Sequence, residues 1–333
     1  MATQTQTLNW GLLSTARINR SVIPPLHASE RNNLVAVASR STQKARAYAD
    51  EWGIDDAYGS YEDMLAEPDI HVVYNSLPNS LHADWTIKAA QAGKHVLCEK
   101  PLALTVQEVD AIAEAAKANN VIVAEAFMYR HHAQTLKVKA LIDEGKIGAV
   151  KLVRGSFSFT INDPANVRLA ADLGGGSIWD VGCYPLSYAR TMIGAAPVTA
   201  IGHAIYGEDS KVDESFFGTV HFANGAVAQF DSSFRLPFRM NMEIVGDEGL
   251  IVINNPFKPT ADETIYIGAS SDKLEPLQVT GPELLYLGEV EDIYDAVLMG
   301  QLPRVSLADS RINVAALVAL VESAKEGKAV PIE

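Results

Sequence analysis

Two stretches of this chain place reactive side chains where stability alone does not ask for them. In "HVLCEKP", residues 95–101, the apolar run Val96-Leu97-Cys98 is followed at once by Glu99, Lys100 and Pro101. An acid, a base and a chain stop thus stand at the mouth of what reads as a core strand. In "GGGSIWDVGCYPLSYARTMIG", residues 174–194, three glycines precede a helical run that ends at Gly194. Asp180 and Tyr184 are four apart and project from one face of that helix. Gly182 between them lowers helix propensity, and Pro185 removes the backbone bond to Val181, so a close approach to this face is expected. A free phenol titrates at about 10, which makes it a ready proton donor and a poor acceptor at neutral pH. Taken alone, each stretch also reads as plain structure: a solvated loop, and a core helix whose tyrosine bonds a local aspartate.

The elements that must position these residues follow from apolar periodicity. "LNWGLLS" (8–14), "NLVAVAS" (33–39), "IHVVYNS" (70–76), "KHVLCE" (94–99) and "VIVAEAF" (121–127) are short Val/Ile/Leu-rich runs, as strands buried on both faces are. Helical segments with legible ends separate them. One is capped by Ser41 or Thr42 and stopped by Gly53, another ends at Gly93, and a third starts at Thr105 with Glu108 at capping-box spacing. Beyond residue 148 the pattern changes to apolar–polar alternation, in "VKLVRGSFSFTI", "ESFFGTVHF", "AVAQFDSSF", "MNMEIVG" and "ETIYIGA". A hairpin is expected at "ANGA" (223–226), with Asn224-Gly225 supplying positive φ angles. Helices return at 282–300 and 310–327. The expectation is an α/β domain, a Rossmann-type doubly wound parallel sheet, over 1–128, followed by an α+β domain over 129–333. The second is a mainly antiparallel, open-faced sheet with helices on one face, and the last C-terminal helix is a candidate to pack back on the first domain.

Composition narrows the function. The net charge of −14 argues against nucleic-acid and anionic-membrane surfaces, which need clustered Lys and Arg. "MATQTQTLNW" has neither a basic nor an apolar leader region, and no apolar stretch approaches the roughly 18 residues of a membrane span. Two distant cysteines, Cys98 and Cys183, in apolar surroundings fit a reducing cytoplasm better than a disulfide framework.

Doubly wound sheets bind ligands at the carboxyl ends of their strands. The first such loop, "GLLSTARIN", puts Ser14, Ala16 and Asn19 where a dinucleotide fingerprint has glycines, so the pattern itself fails. Small residues at 14 and 16 still let backbone approach a pyrophosphate, and Arg17 adds charge near the helix start. Thr15 and Ile18 complete this candidate cofactor loop. After the second strand stand Ser39, Arg40, Ser41 and, one turn on, Lys44, with no Asp or Glu from 33 to 49. A carboxylate would take an adenosine ribose diol and repel a 2′-phosphate, whereas hydroxyls and a guanidinium hold one. The expected cofactor is therefore NADP(H) rather than NAD.

Three motifs in order and spacing, "SLPNSLH" (76–82), "CEKP" (98–101) and "GGGSIWDVGCY" (174–184), are what a known family carries. The chain resembles the glucose–fructose oxidoreductase / inositol dehydrogenase / rhizopine-catabolism (Gfo/Idh/MocA) family over essentially its whole length. The resemblance implies that Lys100 reaches the substrate hydroxyl and the nicotinamide ribose, that Glu99 positions that end of the cofactor, and that Pro101 fixes the turn, often as a cis peptide. Leu77, Asn79, His82, Arg130 and Trp179 are implied as further cofactor contacts, and Asp180 as the residue that orients substrate. The acid/base position, frequently histidine in the family, holds Tyr184. With "WGLLSTARI", that makes the chain most similar to the branch containing dihydrodiol dehydrogenase and NADP-dependent xylose dehydrogenase. Hydride then passes between a carbinol carbon and nicotinamide C4, and Lys100 favours the phenolate that oxidation needs. Asp180 opposes it unless paired.

The resemblance implies a sugar or polyol substrate, most simply oxidation of an aldose at C1. A keto-sugar reductase or a glucose–fructose-type oxidoreductase uses the same residues, and an NADP-sensing regulator is disfavoured by the presence of Lys100, Asp180 and Tyr184. A metal hydrolase is disfavoured because His131 and His132 are adjacent, at no ligand spacing, and are expected at a helix start. A sheet with one helix-covered face is expected to form a homodimer or homotetramer through the other.

Overall fold

A computed structural model describes residues 6–333; residues 1–5, part of the stretch read for a leader, lie outside the described residues. The chain divides into two units. Of the described residues, one comprises 6–103, Gln107–Met128 and Tyr286–Ser310, and the other Leu104–Val106, Tyr129–Leu285 and Arg311–Glu333.

The first unit holds the expected parallel sheet. Strands β1 (Leu8–Leu13), β2 (Asn32–Ala38), β3 (Asp56–Tyr58), β4 (Val72–Asn75), β5 (His95–Glu99) and β6 (Val123–Ala126) run in the order β3-β2-β1-β4-β5-β6. All pairs are parallel. The order reverses between β1 and β4, where a doubly wound sheet opens its binding crevice. Helices α1 (Asn19–Ala28), α2 (Thr42–Trp52), α3 (Tyr61–Ala66), α4 (His82–Gln91) and α5 (Val106–Ala118) alternate with the strands. The anticipated ends are present: Ser41 accepts the Lys44 N–H at 3.3 Å, and Gly53 (φ 65°) and Gly93 (φ 75°) turn the chain out of α2 and α4. The three-residue edge strand β3 was too short for periodicity to announce.

One face of β1 is filled by apolar side chains: Leu8, Trp10 and Leu12 pack with Val37, Tyr74 and Leu97. The helix Leu287–Leu298 contributes Val290, Ile293 and Tyr294 to the same core. Arg31 fastens it, bonding Glu291 and Asp295 with its guanidinium 4.4 Å above the Tyr294 ring.

The second unit is built on α6 (Ala133–Asp143), α7 (Cys183–Ile193) and nine strands: β7 (Val150–Ser158), β8 (Pro197–Tyr206), β9 (Asp213–Phe222), β10 (Val227–Ser233), β11 (Arg239–Gly246), β12 (Leu250–Ile253), β13 (Asp262–Gly268), β14 (Glu275–Thr280) and β15 (Val330–Pro331). The helix from Leu287 described above is α8, and α9 (Leu307–Glu326) is the last. The sheet order is β14-β13-β12-β11-β7-β10-β9-β8-β15, antiparallel except for β7 beside β10. Ala200, Phe216, Val220, Phe230 and Ile244 are buried on one face. There α9 lies so close that a Cβ on Gly202 would stand 2.2 Å from the Leu320 carbonyl oxygen. The opposite face leaves Ile201, His203, Phe217, Gln229 and Asp231 lining an open groove. The hairpin at 223–226 forms, but only Gly225 has positive φ (84°); Asn224 instead accepts the Ala226 N–H at 3.1 Å.

Candidate active site

In the first unit, a closed ring of hydrogen bonds replaces the missing glycines. Ser14 has φ 115°, a backbone state that glycine adopts freely and other residues do at a cost. Its hydroxyl accepts the Ala16 N–H at 3.1 Å, while its carbonyl accepts from Asn19 Nδ2 at 2.8 Å. The Ser76 hydroxyl donates to Asn19 Oδ1 at 2.6 Å. With that proton committed, Ser14 must donate to Ser76 across their 3.0 Å separation. The circuit also brings each hydroxyl to 3.4 Å from a carbonyl oxygen, Ser14 Oγ from that of Ser76 and Ser76 Oγ from that of Leu13. It fastens the β1–α1 turn, at Ser14, Thr15, Ala16 and Ile18, to the end of β4, and leaves Arg17 exposed. Asn19, aligned with the third glycine, is thus a buried member of the circuit.

At the end of β2, Ser39 is buried while Arg40 and Lys44 are exposed. The Ser41 hydroxyl serves α2 as its cap. The end of β5 is fixed from several sides. The Lys100–Pro101 peptide is cis. Beyond it the Leu102 N–H donates to Glu125 Oε1 at 2.9 Å. His82, expected as a cofactor contact, lies inside the unit, with its two ring nitrogens 2.7 Å from the carbonyl oxygens of Leu77 and Pro101. Burial pushes this imidazole below its ordinary range although both carbonyls pull the other way. Leu77 is buried and Asn79 half-buried.

Glu99 is buried and accepts the Tyr74 hydroxyl. Burial, and next the nearby Glu99 carboxylate, raise the Tyr74 phenol well above its usual value. Glu289 on α8 is buried close by, and among the described residues neither of its carboxyl oxygens meets a hydrogen-bond partner. Burial, with Glu99 second, pushes its carboxyl well above the ordinary carboxylate range.

In the second unit, Asp180 lies in a π-helical turn, Ile178–Gly182, that runs directly into α7. Such wide turns are frequent at functional sites because they redirect side chains without ending a helix. The turn is anchored by Asp213, whose Oδ2 accepts both the Ser177 hydroxyl and the Ile178 N–H at 2.8 Å. Burial pushes the Asp213 carboxyl up to about 6. The Tyr184 ring is bedded among Tyr129, Phe157 and Phe257, at centroid distances of 5.8, 5.4 and 5.6 Å. A Cβ on Gly182 would meet Ser232 Oγ on β10 at 3.0 Å, so the close approach at this glycine is sheet packing. Pro185 is accommodated by Gly155 on β7, where a Cβ would fall 2.9 Å from the proline Cβ.

Trp179 is half-buried beside Asp180 in sequence, and Arg130 is buried with Nη1 3.4 Å from the Ser187 hydroxyl on α7. His132 caps α6, accepting the Gln134 N–H at 3.2 Å. Among the described residues no group of His, Cys, Asp or Glu could hold a metal ion.

Thus Ser14, Thr15, Ala16, Arg17, Ile18, Ser39, Arg40, Lys44, Leu77, Asn79, His82, Glu99 and Lys100 belong to the first unit, whereas Arg130, Trp179, Asp180 and Tyr184 belong to the second. Sequence reasoning missed Tyr74, Ser76 as a partner of Ser14, Glu289, Asp213 and Arg168. The last donates from Nε to Asp180 Oδ2 at 2.6 Å. Only Asp213 carried a signal, as an acid opening an alternating strand. The others depend on contacts between residues distant in the chain.

The sequence matches two family models: an oxidoreductase family with an NAD-binding Rossmann fold over residues 8–127, and the GFO/IDH/MocA C-terminal domain over 135–252. A D-xylose 1-dehydrogenase (NADP(+)) of Haloferax volcanii is 38% identical over 97% of this chain and 99% of its own length. The structure is similar to an aldose-aldose oxidoreductase from Caulobacter crescentus complexed with glycerol, with TM-score 0.91 and 27% identity over 98% of this chain and 100% of that one. It is also similar to a 3-ketoreductase from Actinomadura kijaniata in complex with NADP and TDP-benzene, with TM-score 0.89 and 27% identity over 96% and 98% of the two chains. The chain belongs to the Gfo/Idh/MocA family of oxidoreductases.

Proposed function

We propose that the chain is an NADP(H)-dependent aldose 1-dehydrogenase with Tyr184 as its general acid/base. The observation that carries this reading is the π turn that sets Asp180 one turn ahead of a phenol seated in an aromatic bed. The xylose dehydrogenase relative supports both the sugar class and the phosphorylated cofactor, and the ketoreductase was solved with NADP. The residues present fit that cofactor. The Ser14–Asn19–Ser76 circuit holds a close-approach turn at the reversal of strand order, and exposed Arg40 and Lys44 stand beyond β2 with no acid between 33 and 49 to oppose a 2′-phosphate.

When bound, the nicotinamide gives or takes hydride at C4. Tyr184 takes the proton from the sugar hydroxyl in oxidation and returns it in reduction. Lys100 donates a hydrogen bond to that oxygen and stabilises its developing charge. Asp180 accepts a hydrogen bond from the sugar and fixes its orientation. The ketoreductase neighbour favours one second reading, reduction of a keto-sugar by the same groups run in reverse.

NADP⁺ offered with a panel of aldoses and polyols, read as NADPH absorbance, tests this directly. Tyr184→Phe is expected to lower turnover by about two decades or more, the usual worth of general acid–base catalysis, while NADPH still binds. Near-normal turnover would remove Tyr184 from the mechanism.

We also propose assembly of two or four copies through the open face of the second unit's sheet, where Ile201, Ile205 and Phe217 are 44%, 53% and 42% exposed. A monomeric mass by light scattering at micromolar concentration would overturn that. Among the described residues no helix is long and apolar enough to cross a membrane. The cytoplasm is the proposed compartment, one that suits the buried thiols of Cys98 and Cys183.

A further inference from the structure

An aspartate one turn from a phenol works against oxidation, because its negative charge disfavours the phenolate. Within the second unit the structure supplies a counter-charge that neither the motifs nor the relatives' names point to. Arg168 stands on a short helical turn, Val167–Leu169, and donates from Nε to Asp180 Oδ2 at 2.6 Å. The Asp180 side chain is only 13% exposed, and that of Arg168 41%.

The backbone around Arg168 is built to hold it there. Asn166 Oδ1 accepts the Arg168 N–H at 3.1 Å, and the Arg168 carbonyl accepts from Gly176 at 3.0 Å. A Cβ on Gly175 would lie 2.5 Å from the Arg168 carbonyl oxygen and 2.8 Å from that of Ala170. Gly174 and Gly176 have φ angles of 75° and 124°. The glycine run before the π turn therefore folds the 167–173 segment back against the helix start, which brings the guanidinium to Asp180. Phe159 lies beneath it, 5.9 Å from the guanidinium carbon.

We infer that Arg168 is a positioning residue of this site: it fixes the Asp180 carboxylate for substrate and offsets its charge on behalf of Tyr184. The inference rests on Tyr184 being the acid/base. Other titratable or charged groups on elements packed around the Tyr184 ring are, among the described residues, Tyr129, Arg130 and His131 on the 128–131 turn, Lys151 and Arg154 on β7, Lys258 beside Phe257, and Cys183, Tyr188 and Arg190 on α7. None is altered by substitution at 168.

The test is a pH profile of aldose oxidation for wild type, Arg168→Met, Arg168→Lys, Asp180→Asn and Arg168→Met/Asp180→Asn, with folding checked by circular dichroism. Arg168→Met is expected to move the rising limb of the profile up by about one pH unit, which at neutral pH is about a tenfold loss of turnover. Arg168→Lys, which keeps the charge, should recover most of it. In the Asp180→Asn background the Met substitution should move nothing further. Ultraviolet titration of tyrosinate in the cofactor-free protein, as the difference from a Tyr184→Phe counterpart, should show the same upward move. An unmoved limb in Arg168→Met, or an equal shift with Asp180 already neutral, would overturn the inference. If Arg168→Met does not fold, Arg168→Lys decides: a limb within a few tenths of a unit of wild type upholds the charge role, and a full shift refutes it. Failure of the underlying reading looks different, because Tyr184→Phe would then keep its turnover whatever happens at 168.

Discussion

Ser14 sets two effects of similar size against each other, and their balance can be measured. Replacing it with alanine removes the bonds to Ala16 N–H and Ser76 Oγ, at 3.1 and 3.0 Å, and leaves φ 115° occupied by a residue with a Cβ. Each such bond contributes about 0.5–1.5 kcal/mol net, so Ser14→Ala is expected to cost about 2 kcal/mol. Replacing it with glycine loses the same bonds but relieves left-handed backbone strain of about 1–2 kcal/mol. Glycine also loses more backbone entropy on folding, about 0.5–1 kcal/mol. The net cost of Ser14→Gly is then about 1 kcal/mol. The expected order of stability is wild type, then Ser14→Gly, then Ser14→Ala, read as urea midpoints at constant slope. The NADPH dissociation constant should worsen more for Ala than for Gly, because the β1–α1 turn loses its tie to the end of β4 without gaining freedom to adopt its shape. An alanine variant as stable as wild type, or more stable than the glycine variant, would refute the reasoning.

Other substitutions probe the same groups by different means. Asp213 has a folded value of about 6 against an ordinary value of 3.8, so its contribution to stability is fully present below about pH 4 and lost as pH rises through 6. Asp213→Asn keeps an acceptor for Ser177 and Ile178, so it should flatten the stability profile between pH 4 and 7 and gain up to about 3 kcal/mol over wild type at pH 7. A profile as steep as wild type would contradict this. Glu289→Gln removes a buried carboxyl whose folded value is also raised, so the variant should gain on wild type as pH climbs above the ordinary carboxylate range; a variant whose melting temperature gains nothing on wild type between pH 5 and 8 would argue against that raised value. Arg40→Ala should lose about one to two decades of kcat/KM with NADP⁺ and little with NAD⁺, the worth of one charge-assisted bond to phosphate. An equal loss for the two cofactors would remove Arg40 from the 2′-phosphate.

Sheet class, order of elements and helix ends were legible because they depend on local signals. Ser41, Gly53 and Gly93 stop or start helices through their own backbone preferences, and the buried strands announce themselves by composition. Three antiparallel strands, β8, β12 and β14, gave no clear alternation; Leu250–Ile253 is a continuous apolar run of four, too short to tell from a loop end. The site was legible only as residue types. Ser14 was seen as a small residue, whereas its partner Ser76 emerges only when β1 and β4 lie side by side. His82 belongs to a motif that by resemblance implies a cofactor contact, and no local signal told that the fold turns its ring inward onto two carbonyls. Gly182 was a real anomaly whose cause lay out of local reach, because the neighbour it admits, Ser232, is fifty residues further along the chain.

The central claim is that hydride leaves C1 of an aldose for the cofactor. D-xylose and D-glucose deuterated at C1, each incubated with the protein and NADP⁺, put that to one measurement, the mass of the reduced cofactor. The account predicts NADPH one mass unit heavy from at least one of the two sugars, with Tyr184→Phe slowing its appearance. Unlabelled NADPH, or none from either sugar, would contradict it.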